Sequence, residues 1–430
     1  MNKNNKPLAE ELKDKDSIKD VLLPIVYSYK ERREAIFNNP ENNKNEQELK
    51  DKLRKIKEDS LNNIQELKQK AIKNLTKNGI KVIEVKTLSD AEREIKKIVG
   101  QEKLIVKSKS NTANEINLRE ILKDKELVET DLGDFVVENL DAEDLHPVLP
   151  AMHLTPERIS ASLGKKFNQD IKPTPEAIAE FAREKIRHKI QSAKIGITGA
   201  NVITADGSII ILENEGNISL VSRIPETHIV LSSFDKIVAT RQEALHVVEC
   251  ASIYGTGQEY PMYVNIISGP SKTADIQNKI ITGAQGTKEV CLILIDNGRT
   301  EILNSEFKEL LYCINCGSCL NFCPVFHQLT TRYGSKNFPG AKGVLYSFFT
   351  ESPKESFNNG AFFCTTCRMC VENCPAKIDL SAMIKKLRSN LADKGIEPEN
   401  VKDMLNLTKE HGTPFGKATE GKLPDKLYCC

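Results

Sequence analysis

Apolar positions between residues 10 and 77 recur at helical spacing, as in Leu53, Ile56, Leu61, Ile64, Leu67 and Ile72, within a background of Lys, Glu and Asn. The pattern predicts helices whose abundant Lys and Asn form a solvated surface, with NNPENNKNEQ as an exposed loop or mobile helix end. Asn78-Gly79 closes this region with a C-cap signal, since both residues tolerate the conformation that ends a helix. The period then shifts. IKVIEV is followed by a helix through DAEREIKKIV, then KLIVKS, a helix through NEINLREILKD, and LVET. Further short apolar runs, AKIGITGA, SIIILEN, THIVLSS, YVNIIS and VCLILID, alternate with helical patterns in TPEAIAEFAREKIRHKIQSA and RQEALHVVECAS. Such alternation predicts a parallel or mixed sheet with helices packed on it.

A second change comes after Asn297-Gly298, where the chain becomes Cys-rich and mostly helical. The expected organisation is a charged helical extension over 1–59, an α/β domain over 60–300, a helical domain over 301–395 and a linker over 396–430.

Two copies of one cysteine pattern dominate the third segment: Cys313-x2-Cys316-x2-Cys319-x3-Cys323-Pro324 and Cys364-x2-Cys367-x2-Cys370-x3-Cys374-Pro375. This run ligates [4Fe-4S] clusters, because three thiolates spaced by two wrap one turn of backbone around a cubane face while the fourth comes from elsewhere. In two-cluster proteins the cysteine before proline serves the other cluster. Cys313, Cys316, Cys319 and Cys374 are therefore expected on one cluster, and Cys364, Cys367, Cys370 and Cys323 on the other. Pro324 and Pro375 stop a preceding helical turn and bias those cysteines to extended backbone. Zinc sites favour CxxC pairs or mixed Cys/His sets, and neither run contains a histidine. Disulfide frameworks belong to small secreted chains. The forty residues between Cys323 and Cys364 carry KGVLYSFFTES, which reads as helix, so a helical ferredoxin-type domain is expected. Ile314, Leu320, Val325, Phe326, Val371 and Ile378 would supply part of its low-dielectric shell.

The remaining composition narrows the setting. The 430 residues carry a formal net charge of +1, 28% charged residues and no tryptophan, with no apolar stretch long enough for a bilayer and no broad basic footprint for nucleic acid. MNKNNKPLAEELKDKD lacks the apolar core of a signal peptide, so a reducing cytoplasm is expected. No strand-linked GxGxxG and no GK[ST] phosphate loop occurs, which leaves nicotinamide and nucleoside triphosphates without support.

Other candidates sit in the α/β segment. Gly196, Gly199 and Gly207 permit unusual backbone, while Thr198, Asn201, Asn214, Glu215 and Asn217 offer polar groups beside short strands, either as a ligand pocket or as turn chemistry. Lys107, Ser108 and Lys109 are either an anion site near a helix start or the wet face of a strand. His146, His153, His228 and His246 are candidate bases for a hydroxy acid. Cys250 and Cys291, in apolar company, read as buried structural thiols.

Several of these stretches carry a resemblance: VKSKSNTANEINLREIL (106–122), VETDLGDF (128–135), HPVLPAMH (146–153), GITGAN (196–201), NEGN (214–217) and Gly269-Pro270. They resemble the lactate-utilisation domain, and with the paired cysteine runs the chain resembles the iron-sulfur B subunits of three-part L-lactate oxidation systems over about residues 60–390. The resemblance implies a layered, Rossmann-like α/β fold of the isomerase and CoA-transferase type. The terminal KEHGTPFGKATEGKLPDKLYCC resembles the join to a Cys-rich domain in heterodisulfide-reductase-type proteins, with Cys429 and Cys430 as weak ligand candidates.

The expected function is electron transfer from 2-hydroxy-acid oxidation, L-lactate to pyruvate, through two [4Fe-4S] clusters to an acceptor protein or quinone-linked chain. Expected partners are a Cys-rich subunit and a second lactate-utilisation-domain subunit, in an oxidoreductase complex that does not depend on NAD. The rival readings are a relay for a disulfide reductase or another dehydrogenase, a CoA-ligand transferase or isomerase with structural clusters, and an iron-dependent scaffold.

Overall fold

A computed structural model of the protein describes residues 16–417 except 43, 141, 143–150, 152 and 336. Helices Asp16–Asn38, Glu46–Asn62 and Ile64–Lys77 open it. The second starts at Asn45, whose side chain accepts from the Gln47 and Glu48 amides, and its apolar stripe of Leu49, Leu53 and Ile56 is buried. The expected helices form, but their surface is not uniformly solvated: Lys57 is 2% exposed and donates to the Asp235 carbonyl.

Twelve strands follow among the described residues, and six build a parallel sheet. They are β1 (Ile80–Val85), β2 (Leu104–Lys107), β3 (Glu126–Glu129), β4 (Ile195–Gly199), β7 (Thr227–Ser232) and β12 (Glu289–Ile295), in the order β1-β12-β7-β4-β2-β3. Each neighbouring pair is parallel, with Ile195 opposite Thr227 and Val290 opposite His228. Helices cover both faces, so the central strands read as unbroken apolar runs. EVCLILI in β12 is the clearest case. A smaller sheet has the order β8-β5-β6-β9, from β5 (Val202–Thr204), β6 (Ser208–Glu213), β8 (Ile237–Val238) and β9 (Tyr263–Ile267). The short hairpin of β10 (Lys272–Thr273) and β11 (Ile281–Thr282) completes the strands.

One expected element divides. The helix anticipated through NEINLREILKD becomes Asn111–Glu115 and Leu118–Ile121, because Asn117 adopts φ +54° and so ends the first turn. Asn is among the few residues that take this backbone readily. The bend buries Ile116, Leu118, Ile121 and Leu122 together against the sheet.

The carboxyl-terminal segment is helical, including Gly340–Thr350, Leu380–Asp393 and Glu399–His411. The first forms over KGVLYSFFTES as expected, and Gly343 is required within it, since a Cβ there would lie 1.5 Å from the Phe338 carbonyl oxygen. No helix among the described residues is long and apolar enough to cross a membrane.

The hydrophobic core runs continuously from Leu53 and Ile56 through Ile210 and Tyr254 to Leu311, Leu345 and Leu387, so α/β and helical segments share one interior. A buried ion network sits at their junction, with its Arg299 guanidinium 5.7 Å from the ring centre of Tyr346 in the helical segment. Arg299 donates to Glu115 at 2.7 and 2.8 Å and to Asp235 at 2.9 Å, with all three side chains nearly inaccessible. Burial works to raise the Asp235 pKa, but Arg299, Lys236 and Lys57 outweigh it and hold the carboxyl at about 2. Burial likewise disfavours the charged form of Arg299, and Glu115 and Asp235 overcome it.

Removing one member strands the others. Arg299→Met leaves the buried Glu115 carboxylate without its partner and Asp235 with only Lys236 and Lys57 nearby, and is expected to cost about 3–5 kcal/mol, with Arg299→Lys restoring only part because one ammonium cannot reproduce the guanidinium fork. Denaturation midpoints of the three proteins, at matched iron content, check this.

Candidate metal centre

Each cysteine run is shaped by backbone rather than by regular helix. In the first, Asn315 and Gly317 take φ +59° and +80° before a short helix Ser318–Asn321. In the second, Thr366 and Arg368 take φ +56° and +68° before Met369–Glu372. The left-handed residues occupy equal offsets from the leading cysteines, so the two runs are copies in conformation as well as spacing. A β-branched Thr and an Arg in this region carry strain of roughly 1–3 kcal/mol each, which persists only where surrounding contacts impose it. Cys323 is extended, with φ −87° and ψ 113°, and Pro324 begins the helix Pro324–Leu329.

These conformations bring the cysteines around two adjacent cavities. Cys313, Cys316, Cys319 and Cys374 line one, together with Ile314, Ile378 and Leu380. Cys323, Cys364, Cys367 and Cys370 line the other, with Leu320, Val325 and Tyr333, and Cys319 stands on the wall between. Backbone amides point at the sulfurs: Asn315 to Cys313, Thr366 to Cys364 and Ile378 to Cys374, each at 3.4 Å. The described cysteines are free of disulfides.

The donor set fits an iron-sulfur cluster better than a single ion. Among the described residues no three His, Cys, Asp or Glu side chains converge closely enough to hold one ion, whereas tetrahedral zinc with bonds of about 2.3 Å would need them to. Burial and the neighbouring thiols push Cys370 up to about 12 and Cys374 up to about 11, and move Cys316, Cys319 and Cys323 in the same direction. Thiols crowded in so apolar a place ionise only when a cationic centre compensates them, and iron supplies that charge. Of the expected shell, Ile314, Leu320, Val325, Phe326 and Ile378 are buried and Val371 is half-buried.

Residues far away in sequence hold the two cysteine runs in place. Tyr29 exchanges a hydrogen bond with Ser318 at 3.0 Å and donates to the Tyr254 carbonyl at 2.9 Å. Arg33 donates to Asn373 at 2.9 Å and lies 5.2 to 5.7 Å from the ring centres of Tyr29, Tyr254 and Phe322. Lys342 bonds the Asn315 side chain, and Arg388 holds the Cys364 carbonyl at 2.6 Å. Sequence reasoning found none of these. A lysine or arginine in a polar helix looks the same whether it faces water or a cluster loop, and no local spacing marks the difference.

A further cavity of about 290 Å³ lies where β2, β3 and β4 end, walled on its other side by the helix Arg241–Thr256 and by Asn315 and Cys316. Open α/β sheets present ligand sites at this edge. Of the α/β candidates, Lys109, Gly199, Asn201, Asn214, Glu215 and Asn217 line it. Burial, aided by nearby Asp131, raises Glu215 to about 7. Gly196, Thr198 and Gly207 stand elsewhere. Gly196 is needed for packing, as a Cβ would meet the Val221 carbonyl oxygen at 2.1 Å.

Two readings of single residues change. The wet-face reading of the β2 lysines fails: Lys107 is 2% exposed and ion-paired with Glu129, and Lys109 pairs with Asp134 at 3.6 Å. Among the described residues, none of the candidate histidines is on the cavity wall. His228 is buried in β7 with its ring bonded to Thr198 at 2.8 Å, and burial pushes its pKa down to about 3. His246 bonds the Leu49 carbonyl at 3.1 Å beneath Glu249. His146, Cys429 and Cys430 lie outside the described residues. Cys250 and Cys291 are buried, as expected of structural thiols.

Comparison with known proteins agrees with this architecture. Residues 68–295 match the LUD domain and residues 309–378 match the 4Fe-4S dicluster domain. An Escherichia coli (strain K12) protein named uncharacterized electron transport protein YkgF is 31% identical over 355 residues, covering 81% of this chain and 73% of that one. Lactate utilization protein B of Macrococcus caseolyticus (strain JCSC5402) is 31% identical over 385 residues, covering 88% and 78%. Lactate utilization protein B of Bacillus subtilis (strain 168) is 33% identical over 328 residues, covering 75% and 66%. An iron-sulfur protein that joins a LUD domain to a 4Fe-4S dicluster domain, the chain belongs to the lactate utilization protein B family.

Proposed function

We propose that this protein is the electron-transfer subunit of a cytoplasmic 2-hydroxy-acid-oxidising complex, passing electrons from L-lactate oxidation to pyruvate through two [4Fe-4S] clusters to a partner acceptor. The observation that supports the reading is the placement of the fourth cysteines. Cys374 borders the cavity of the first run and Cys323 that of the second, which is the arrangement a relay needs to keep two clusters close. Cys313, Cys316, Cys319 and Cys374 would hold one cluster, and Cys364, Cys367, Cys370 and Cys323 the other. When bound, each cluster accepts and returns single electrons.

The chain's own contribution is ligation and tuning. Amides directed at Cys313, Cys364 and Cys374 spread the sulfur charge, apolar neighbours limit solvent, and a Tyr333 hydroxyl bonded to the Cys364 sulfur withdraws charge from one side only. Such levers act within the roughly −700 to +450 mV open to these centres. The lactate assignment draws on the relatives named for lactate utilisation, and the electron-transfer role also on the relative named for electron transport. A Cys-rich subunit and a second LUD-domain subunit are the proposed partners.

Cys316→Ser and Cys367→Ser are each expected to remove one cluster's signal and about half of the iron while leaving the α/β domain folded. Iron and labile-sulfide analysis with low-temperature EPR reads this, and an unchanged iron count defeats the ligand assignment. Tyr333→Phe should lower the potential of the Cys364 cluster and leave the other in place, as measured by EPR-monitored redox titration.

A further inference from the structure

Two donors beside the cavity at the ends of β2, β3 and β4 make no hydrogen bond among the described residues, although the Asp235 carboxylate acts on the Lys236 charge. Lys236 is 8% exposed and lines the cavity, and its ammonium makes no hydrogen bond or ion pair among the described residues. Ser252, from the facing helix, is 2% exposed, and its hydroxyl is likewise unsatisfied. A buried ammonium and a buried hydroxyl left unbonded both cost free energy, so their placement on one cavity points to an anionic occupant.

The acidic members of the wall are already engaged. Glu213 accepts from the Ser219 amide at 2.9 Å and from Asn265 at 2.7 Å. Asp131 caps the helix Leu132–Asn139 by accepting from Asp134 at 3.1 Å, and Glu215 accepts from the Leu132 amide at 3.1 Å. Glu215, raised to about 7, is partly protonated near neutral pH and repels an anion less than an ordinary carboxylate. A cavity of about 290 Å³ is at the lower end of ligand-site sizes, which suits a small acid.

We propose that this cavity binds a small 2-hydroxy or 2-oxo acid, with the Lys236 ammonium pairing its carboxylate and the Ser252 hydroxyl donating a hydrogen bond, against the loop that carries Cys316. The choice of acid rests on the lactate reading above, whereas the carboxylate rests on the wall itself. No chemical step is assigned to the cavity. Its position gives the bound acid a cluster loop as neighbour, because Asn315 and Cys316 form part of the wall and a Cβ on Gly255 would lie 3.5 Å from the Cys316 carbonyl oxygen.

The test is calorimetric titration of the anaerobically purified full-length protein, clusters in place, with L-lactate, pyruvate and the uncharged analogue lactamide. Saturable binding of L-lactate or pyruvate is expected at one site per chain, with lactamide weaker by about tenfold or more. Lys236→Gln should weaken the acids by a similar factor and Ser252→Ala by less, both at unchanged iron content. The acid should also alter the EPR signal of the cluster held by Cys316. If neither acid binds to protein whose clusters titrate reversibly, the cavity proposal falls while the relay stands. If binding is the same in Lys236→Gln, or lactamide binds as well as lactate, the ligand is held elsewhere or not by its charge, and the proposal again falls. Binding as expected in protein whose clusters cannot be reduced supports the cavity and overturns the relay. Should Lys236→Gln fail to fold, the lactamide comparison on the unaltered protein and Ser252→Ala decide it.

Discussion

A cubane needs four thiolates at tetrahedral corners, and one tight turn of backbone supplies only three. That shortage organises this molecule's carboxyl-terminal half. Under the proposed ligation each run borrows from the other, so forty residues of intervening chain, including the helix Gly340–Thr350, have to fold before either ligand set is complete. The strained left-handed Thr366 and Arg368 follow from the same demand. Their cost is tolerated because the turn they make aims Cys364 and its neighbours into one cavity.

The α/β portion and the amino-terminal helices extend this constraint outward. Tyr29 and Arg33 reach residues beside Cys319 and Cys374, Lys342 bonds the Asn315 side chain within the first run, and Arg388 fastens the Cys364 carbonyl. Arg299 ties Glu115 to Asp235 within the α/β portion and lies 5.7 Å from the ring centre of Tyr346 in the helical region. The shared core and the shared ion network keep the ends of β2, β3 and β4 against the Cys316 loop. A small-acid cavity beside a cluster loop is thus a consequence of how the two halves pack, not of either alone.

What could be read beforehand follows from how local each signal is. The cysteine runs stand out because ligation demands fixed offsets, and the strands of the parallel sheet because burial on both faces leaves unbroken apolar text such as EVCLILI. The fold class was legible on those grounds, and the family through the resemblance carried by stretches such as VETDLGDF and GITGAN beside the cysteine runs. Lys57, Lys107 and Lys236 were not: a lysine carries no mark of its partner, and each is buried by contacts from strands or helices distant in the chain. Asn117 broke an expected helix by a conformational choice that spacing does not encode. Histidines drew attention as bases, yet His228 and His246 serve the packing of the sheet and the amino-terminal helices. The unpartnered Ser252 became visible only once the helix face it occupies was known to line a cavity.

Exchange of Cys323 and Cys374 between the runs requires two clusters close enough for their unpaired spins to interact. Low-temperature EPR of the fully reduced protein is the most direct measurement of this. Crossed ligation predicts a broadened spectrum, split by magnetic coupling between two reduced clusters, that resolves into a simple signal when only one is reduced. Two superimposed, unperturbed signals, a single cluster, or colourless protein carrying zinc would contradict it.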